Sequence, residues 1–209
     1  MQNDKLNLAV EAINNNQVVG IPTETVYGIG VNPYSQEAVD KIFELKGRDE
    51  DKPLSILVSS YYDLHKLGIV STIPEVVELY WPGPLTIVVE TTEEFAGGVG
   101  TKNPFSIGIR VPDNKLAIEL LKITGPLAVT SANRSGENDI TSDTEAQKIF
   151  GENVAEYLEG ASLHGSGSTI IDFRVDGGEI LREGPLKWPP SYCCLLYTSD
   201  AADEGLGVD

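Results

Sequence analysis

The chain has 209 residues, of which 41% are hydrophobic and 22% are charged. These values suit one α/β domain with a substantial core and exclude a disordered chain. The formal net charge of −17 argues against a broad nucleic-acid surface, because such surfaces cluster Lys and Arg against phosphates. No basic leader precedes an apolar stretch and no apolar run approaches the roughly 18 residues of a membrane span. We therefore expect a cytoplasmic protein without a membrane segment.

Helical and extended patterns alternate along the chain. Helices are predicted over residues 6–13, 36–46, 64–67, 73–80 and 116–121, and after Ser142. Strands are predicted over residues 17–21, 54–58, 85–90, 106–111, 127–130, 169–173 and 179–182. The alternation lacks a strict βαβ rhythm, which favours a mixed, twisted sheet with helices packed on it.

Capping residues define several of these boundaries. Ser35 is a predicted N-cap and Gly47 a predicted C-cap of the second helix. Ser142, with Glu145 three residues later, matches a capping box. The last two strands are predicted to form a hairpin around residues 176–178.

The most informative segment is GIPTETVYGIG, residues 20–30. The first strand stops at Pro22 and opens into Thr23, Glu24 and Thr25, which we expect in an exposed turn. Such a turn can hold a small polar ligand.

A basic cluster follows the second helix. Lys46 continues that helix's apolar stripe and is expected to emerge at its C-terminal edge, while Arg48 and Lys52 lie four residues apart in a turn that ends at Pro53. They could hold a triphosphate or an adenylate in one cleft. Two alternatives stay open from the residues alone: Lys46 could complement the helix dipole from the surface, and the other cations could form a solvated charge cluster.

The segment Ser131-Ala132-Asn133 follows a predicted strand and places a hydroxyl and an amide on the same side. This pair can bind phosphate, ribose or carboxylate without net charge. An ordinary polar turn would have the same composition.

Several other site classes find no support in the sequence. The glycine-rich stretch at residues 165–169 precedes a strand, unlike a P-loop, and neither GxGxxG nor GxSxG occurs. His65 and His164 are interpreted as surface histidines. The adjacent Cys193 and Cys194 have no metal-site spacing, so we expect no structural metal.

The last segment, residues 188–209, has neither helical nor strand periodicity and resembles translated sequencing-adapter read-through. We expect it to be a non-native tail with no domain of its own and exclude it from the fold. A further native C-terminal domain could be missing beyond it.

Residues 18–186 resemble the threonylcarbamoyl-AMP synthase family, the YrdC-like enzymes. The resemblance rests on PTETVYG, KGR, SAN followed by SG, STIID and ILR in this order. It implies one YrdC-like domain over residues 1–187, with an open, twisted mixed α/β sheet and a large concave cleft. It also implies synthesis of threonylcarbamoyl-AMP and pyrophosphate from L-threonine, bicarbonate and ATP, for threonylcarbamoyladenosine modification of tRNA.

The resemblance also assigns roles to individual residues. The implied threonine-binding residues are Thr25, Arg110, Ser131 and Ser168. The implied ATP-binding residues are Arg48, Lys52, Ser106, Asn133, Thr141 and Arg182, with Lys46 and Arg48 as the catalytic pair of the KxR motif. Leu57 departs from the pattern, since some relatives have a histidine there near the amino acid.

The implied chemistry needs no nucleophilic side chain. A carbamate made from threonine and bicarbonate attacks the α-phosphorus of ATP, and the protein aligns reactants and stabilises charge. Mg²⁺ is expected to bind mainly through ATP phosphates, without a protein metal cage. The product is expected to pass to a downstream threonylcarbamoyl-transferase complex, and the acidic charge argues against direct tRNA binding.

Two other functions compete with the synthase. Hydrogenase-maturation carbamoyltransferases contain a similar domain, but they are longer and carry zinc-finger cysteines. A non-catalytic nucleotide- or RNA-binding module is the second alternative.

Overall fold

The computed structural model describes residues 2–47, 49, 52–102 and 105–188. Within these ranges the α-helices are α1 (Gln2–Asn14), α2 (Gln36–Lys46), α3 (Lys115–Thr124) and α4 (Asp143–Phe150). Short 3-10 helices span Tyr61–Leu67, Glu75–Tyr80 and Gly151–Asn153. The strands are β1 (Val19–Ile21), β2 (Gly28–Val31), β3 (Ser55–Leu57), β4 (Leu85–Glu90), β5 (Thr101–Lys102), β6 (Phe105–Arg110), β7 (Leu127–Ser131), β8 (Glu156–Tyr157), β9 (Thr169–Asp172) and β10 (Glu179–Arg182).

These strands form one mixed sheet in the order β10-β9-β4-β6-β3-β7-β2-β1-β8, with β5 paired to β6. The pairs β3–β6, β4–β9 and β1–β8 are parallel, whereas β2–β7, β4–β6 and β9–β10 are antiparallel. The predicted α/β class, mixed sheet and final hairpin are therefore confirmed.

The predicted N-caps Ser35 and Ser142 and the predicted C-cap Gly47 are also confirmed. The Ser35 hydroxyl accepts a hydrogen bond from the Ala38 N–H at 3.3 Å, and Gly47 ends α2 in the left-handed region at φ 57°. Ser142 accepts from the Glu145 N–H at 3.3 Å at the start of α4. Local sequence chemistry thus sets these helix ends.

Two apolar clusters cover the sheet. On one face α1 and α3 pack against residues that include Val19, Ile21 and Leu127. On the other face the larger cluster contains Ile29, Ile56, Ile87 and Ile109, together with apolar residues of α2. Both clusters exclude water from the sheet and account for most of the apolar burial.

One face of the sheet stays partly open over β4, β6 and β9. Val88 pairs with Gly108, Thr86 pairs with Ile170, and alternate residues of a strand share a face. Val88, Gly108 and Ile170 are only half-buried, whereas Ile87, on the opposite face, is fully buried. This half-covered face forms the floor of the predicted cleft.

The structure corrects two interpretations near the N-terminus. Strand β2, with the sequence GIGV, has no counterpart among the predicted strands, because its two glycines lower strand propensity. Thr23, Glu24 and Thr25 were expected to be exposed but are 4%, 5% and 0% exposed. The polar segment is buried because its partners come from distant parts of the chain.

At the other end, Trp188 lies against two aromatic rings, with centroid distances of 5.7 Å to Phe173 and 6.2 Å to Tyr80. Residues 189–209, including both cysteines, lie outside the described ranges, so their assignment as a non-native tail stays a prediction. His65 and His164 are exposed, as predicted.

Candidate active site

A cavity of about 240 Å³ lies on the half-covered face of the sheet. Its lining comes from Thr23, Thr25 and Val26 and from strands β2, β3, β4, β6, β7, β9 and β10, among others. Five of the predicted site residues line it: Thr25, Arg110, Ser131, Ser168 and Arg182. The fold therefore brings together residues that are up to 157 positions apart in the numbering from Thr25 to Arg182.

Arg110 is the most buried cation among them, at 6% exposed. Its Nη2 lies 2.6 Å from Oε1 of Glu24, which is itself 5% exposed. The second oxygen of Glu24 accepts from the Asp113 N–H at 3.0 Å. Burial lowers the pKa of Arg110, and the charge of Glu24 opposes that shift. A buried ion pair therefore stabilises a charged guanidinium in the cavity wall.

The orientation of Arg110 is fixed by two further bonds. Its Nε donates to the Gly83 carbonyl at 3.0 Å and its Nη1 donates to Oγ1 of Thr25 at 2.7 Å. A guanidinium carries five N–H donors, so Nη1 retains one N–H after the bond to Thr25. Arg110 can therefore hold its place and still donate to a carboxylate.

Ser168 and Arg182 form a second cluster. Arg182 donates from Nε to the Ser168 carbonyl at 2.9 Å and from Nη2 to the Ser168 hydroxyl at 3.3 Å. Burial lowers the pKa of Arg182; the charge of Asp139 raises it and that of Arg110 lowers it. The hydroxyls of Ser168 and Thr86 are 2.6 Å apart and buried.

Lys46 differs from the prediction that it emerges at the helix edge, since it is only 3% exposed. Its Nζ donates to the Ser131 carbonyl and, at 2.5 Å, to the Asn133 carbonyl. The Lys46 carbonyl also accepts from the Ser135 N–H at 3.0 Å. The end of α2 thus holds the segment that carries Ser131 and Asn133.

Within this segment the Ser131 hydroxyl donates to Oδ1 of Asn133 at 2.5 Å. The Asn133 amide nitrogen donates to the carbonyls of Arg134 and Glu137, at 3.0 and 2.7 Å. Because a carbonyl only accepts, these two bonds fix which end of the amide is oxygen. Ser131 and Asn133 meet as the sequence predicted, and their bond leaves the Ser131 lone pairs for a ligand.

Six predicted residues do not line the cavity or lie outside the described ranges: Lys46 and Asn133, described above, together with Ser106, Thr141, Lys52 and Arg48. Ser106 lies at the far end of β6 from Arg110, roughly 13 Å away along the strand, and bonds to Thr101 at 2.7 Å and Arg174 at 3.3 Å. Thr141 donates to the Glu145 carboxylate. Lys52 is 58% exposed and lies 3.5 Å from Asp49. Arg48 lies outside the described residues.

Sequence reasoning assigned no individual role to four lining or supporting residues, Thr23, Glu24, Thr86 and Asp139, although the first two belong to the turn that was predicted to hold a small polar ligand. Thr23 and Glu24 belong to the PTETVYG segment, so their position next to Thr25 was a usable signal. Thr86 looked like an ordinary strand residue, and Asp139 like one of many surface acids. For these two no local pattern distinguishes the site from the rest of the chain.

The fold and cavity define an α/β protein with a polar cleft whose described lining carries two arginines and several hydroxyls and suits a small anionic ligand. Residues 11–184 match the sequence model Sua5_yciO_yrdC, described as telomere recombination. The chain belongs to the Sua5/YciO/YrdC family.

Individual relatives agree with this assignment. A Mycobacterium tuberculosis protein, named as a candidate threonylcarbamoyl-AMP synthase, is 37% identical over 206 residues, covering 96% of this chain and 88% of the relative. The mouse threonylcarbamoyl-AMP synthase is 33% identical over 216 residues, covering 98% and 73% respectively.

Among solved structures, Pyrococcus abyssi Sua5 complexed with L-threonine superposes with a TM-score of 0.76 at 33% identity. The match covers 87% of this chain and 54% of the Pyrococcus chain. This chain thus spans about half the length of that protein.

Proposed function

We infer that this protein is an L-threonylcarbamoyladenylate synthase. It joins L-threonine, bicarbonate and ATP into threonylcarbamoyl-AMP and pyrophosphate, the first step of threonylcarbamoyladenosine modification of tRNA. Family membership and the names of its relatives support this assignment.

The observation that carries the assignment is the polarity of the cavity. Arg110 offers an N–H next to Thr25, while Ser131 offers only lone pairs because its proton is bound to Asn133. A free amino acid presents both an acceptor, its carboxylate, and donors, its amino and hydroxyl groups. The cavity wall is therefore complementary to L-threonine.

The nucleotide side of the proposal rests on Arg182, which lines the same cavity. We propose that Arg48, Lys52, Ser106, Asn133 and Thr141 complete the ATP site, as the family resemblance implies. The threonine amine and bicarbonate first give a carbamate and water. A carbamate oxygen then attacks the α-phosphorus while the bond to pyrophosphate breaks, and the protein aligns these groups.

The residues present fit a Mg²⁺ that arrives with ATP. The one carboxylate among the described residues that line the cavity is Asp139, and no cluster of three His, Cys, Asp or Glu that could hold a metal occurs in the described part of the chain. Mg²⁺ would bind mainly through phosphate oxygens and water and would neutralise charge on the phosphates. We propose Asp139 as the residue that would hold it from the protein side.

No helix in the described ranges is long and apolar enough to cross a membrane. We propose a cytoplasmic location and delivery of the adenylate to a downstream threonylcarbamoyl-transferase complex. The net charge of −17 makes direct tRNA binding unfavourable at long range.

A coupled assay of pyrophosphate release tests the function. We expect release to require L-threonine, bicarbonate and ATP together, and to stop when any of the three is omitted. Binding of ATP without turnover would instead support a non-catalytic nucleotide module.

Gly167→Ala provides a test of Arg182. An added Cβ would lie 2.7 Å from Nη2 and 2.8 Å from Cζ of Arg182, at the far end of a flexible side chain. We expect the fold to tolerate the change while Arg182 moves, which raises the KM for ATP about 10-fold, since a charged hydrogen bond is worth about 1.5–3 kcal/mol. The exposed neighbour Ser166→Ala serves as the control. An unchanged KM for ATP would remove Arg182 from the nucleotide site.

A further inference from the structure

Thr23 lines the cavity without an assigned role. Its hydroxyl lies 2.7 Å from the Val26 carbonyl and 2.9 Å from the Thr25 hydroxyl, and all three groups are in the PTETVYG segment. Thr23 is 4% exposed and Thr25 is 0% exposed, so water does not compete for these bonds.

The directions of these bonds follow from the atoms involved. The Val26 carbonyl can only accept, so the single hydroxyl proton of Thr23 points to it. The contact between the two hydroxyls must then use the proton of Thr25, with Thr23 as acceptor. Were the Thr23 proton turned to Thr25, two oxygen atoms with lone pairs would face each other at 2.7 Å.

The direction of the Thr25–Thr23 hydrogen bond determines whether the Thr25 hydroxyl can accept from Arg110. With its proton bound to Thr23, the Thr25 oxygen has lone pairs left, and Nη1 of Arg110 donates to one of them at 2.7 Å. The chain of donation runs from Arg110 through Thr25 and Thr23 to the Val26 carbonyl.

We propose that Thr23 is a positioning residue: it fixes the Thr25 proton, and thereby holds the Arg110 guanidinium in the orientation that receives the carboxylate of the amino acid. This inference rests on the proposed synthase function. Thr23 acts through Thr25 and need not touch the substrate.

The test compares three variants in the pyrophosphate assay. Thr23→Val removes the hydroxyl and Thr23→Ser keeps it. We expect Thr23→Val to raise the KM for L-threonine about 10-fold, the loss of roughly one hydrogen bond at a charged group, with less than a twofold change in the KM for ATP. Thr23→Ser is expected to restore the KM for L-threonine. Thr124→Val, which removes a hydroxyl bonded to the Leu120 carbonyl at the end of α3, is the matched control.

A second measurement separates positioning from a structural role. Thr23 also accepts the N–H groups of Thr25 and Val26, each at 3.3 Å, so the valine variant can lower the melting temperature. A structural effect alone would act on threonine and ATP alike. Binding of L-threoninamide, which lacks the carboxylate, is expected to be insensitive to Thr23→Val.

The outcomes are distinguishable. Wild-type protein without threonine-dependent turnover would refute the synthase function itself. Active wild type with an unchanged threonine KM in Thr23→Val, or an equal rise for threonine and ATP, would overturn the positioning role alone. If Thr23→Val does not fold, Thr23→Ala removes the same hydroxyl without placing a methyl against the Val26 carbonyl and carries the same two criteria.

Discussion

Replacing Arg110 by methionine is expected to lower kcat/KM for L-threonine about 100-fold and to reduce the free energy of unfolding by about 3–5 kcal/mol. The activity falls because the N–H that would bind the carboxylate is lost. The stability falls because Glu24, at 5% exposed, would keep a buried negative charge without the cation 2.6 Å away. Steady-state kinetics and thermal or urea denaturation measure the two effects.

A double variant separates the two effects. Arg110→Met combined with Glu24→Gln removes both charges. Replacing both members of a buried ion pair reduces the free energy of unfolding far less than removing one member and leaving the other charge unpaired. We expect most of the lost stability to return while activity stays low. Recovery of threonine-dependent turnover with stability would show that Arg110 only supports the fold.

An exposed pair calibrates the stability effect. Lys115 is 92% exposed and lies 4.0 Å from Glu119 on α3. Lys115→Met is expected to change the unfolding free energy by less than about 1 kcal/mol, since exposed pairs are screened by water and salt. The contrast between the two pairs isolates the contribution of burial.

Local chemistry made α2 predictable from the sequence. Its apolar stripe and its two caps, Ser35 and Gly47, lie within one continuous segment and act on its own backbone. The strands β4 and β6 were predictable for a similar reason: β4 contains a run of β-branched residues, and β6 alternates apolar with small or polar residues.

Strand β2 could not be predicted this way. Its glycines lower strand propensity, yet they are required where an added Cβ at Gly30 would lie 2.6 Å from Ile21 and 2.9 Å from Val129. That requirement comes from β1 and β7, and β7 lies about a hundred residues further along the chain. Close approach between strands is a property of the sheet and leaves no periodic signal in the segment itself.

The burial of the candidate active-site residues was likewise not predictable from the local sequence. Polar residues in sequence suggest exposure, but Thr25 and Glu24 are buried by Arg110, which follows them by more than eighty positions. The resemblance named Thr25 and Arg110 as partners in function. Only the folded structure shows that Glu24 forms the buried ion pair with Arg110.

Lys46 was predicted to emerge at the end of α2, but it is buried and holds the segment from Ser131 to Asn133. Its replacement is therefore expected to have a large effect. Lys46→Met keeps the apolar stem but removes the donor to the Ser131 and Asn133 carbonyls. An unsatisfied buried polar group costs about 1–3 kcal/mol, so we expect a measurable loss of stability. We also expect kcat/KM to fall at least about 100-fold for both threonine and ATP, because the segment carries a predicted contact to each.

The control is Lys122→Met, an exposed lysine in the last turn of α3, which is expected to leave both properties near wild type. The substrate pattern decides between the two roles for Lys46. A lysine that holds the segment from Ser131 to Asn133 affects both substrates, since it positions both side chains. A fall confined to kcat, with both KM values and stability unchanged, would instead place the Lys46 ammonium on the reacting phosphates and refute the supporting role.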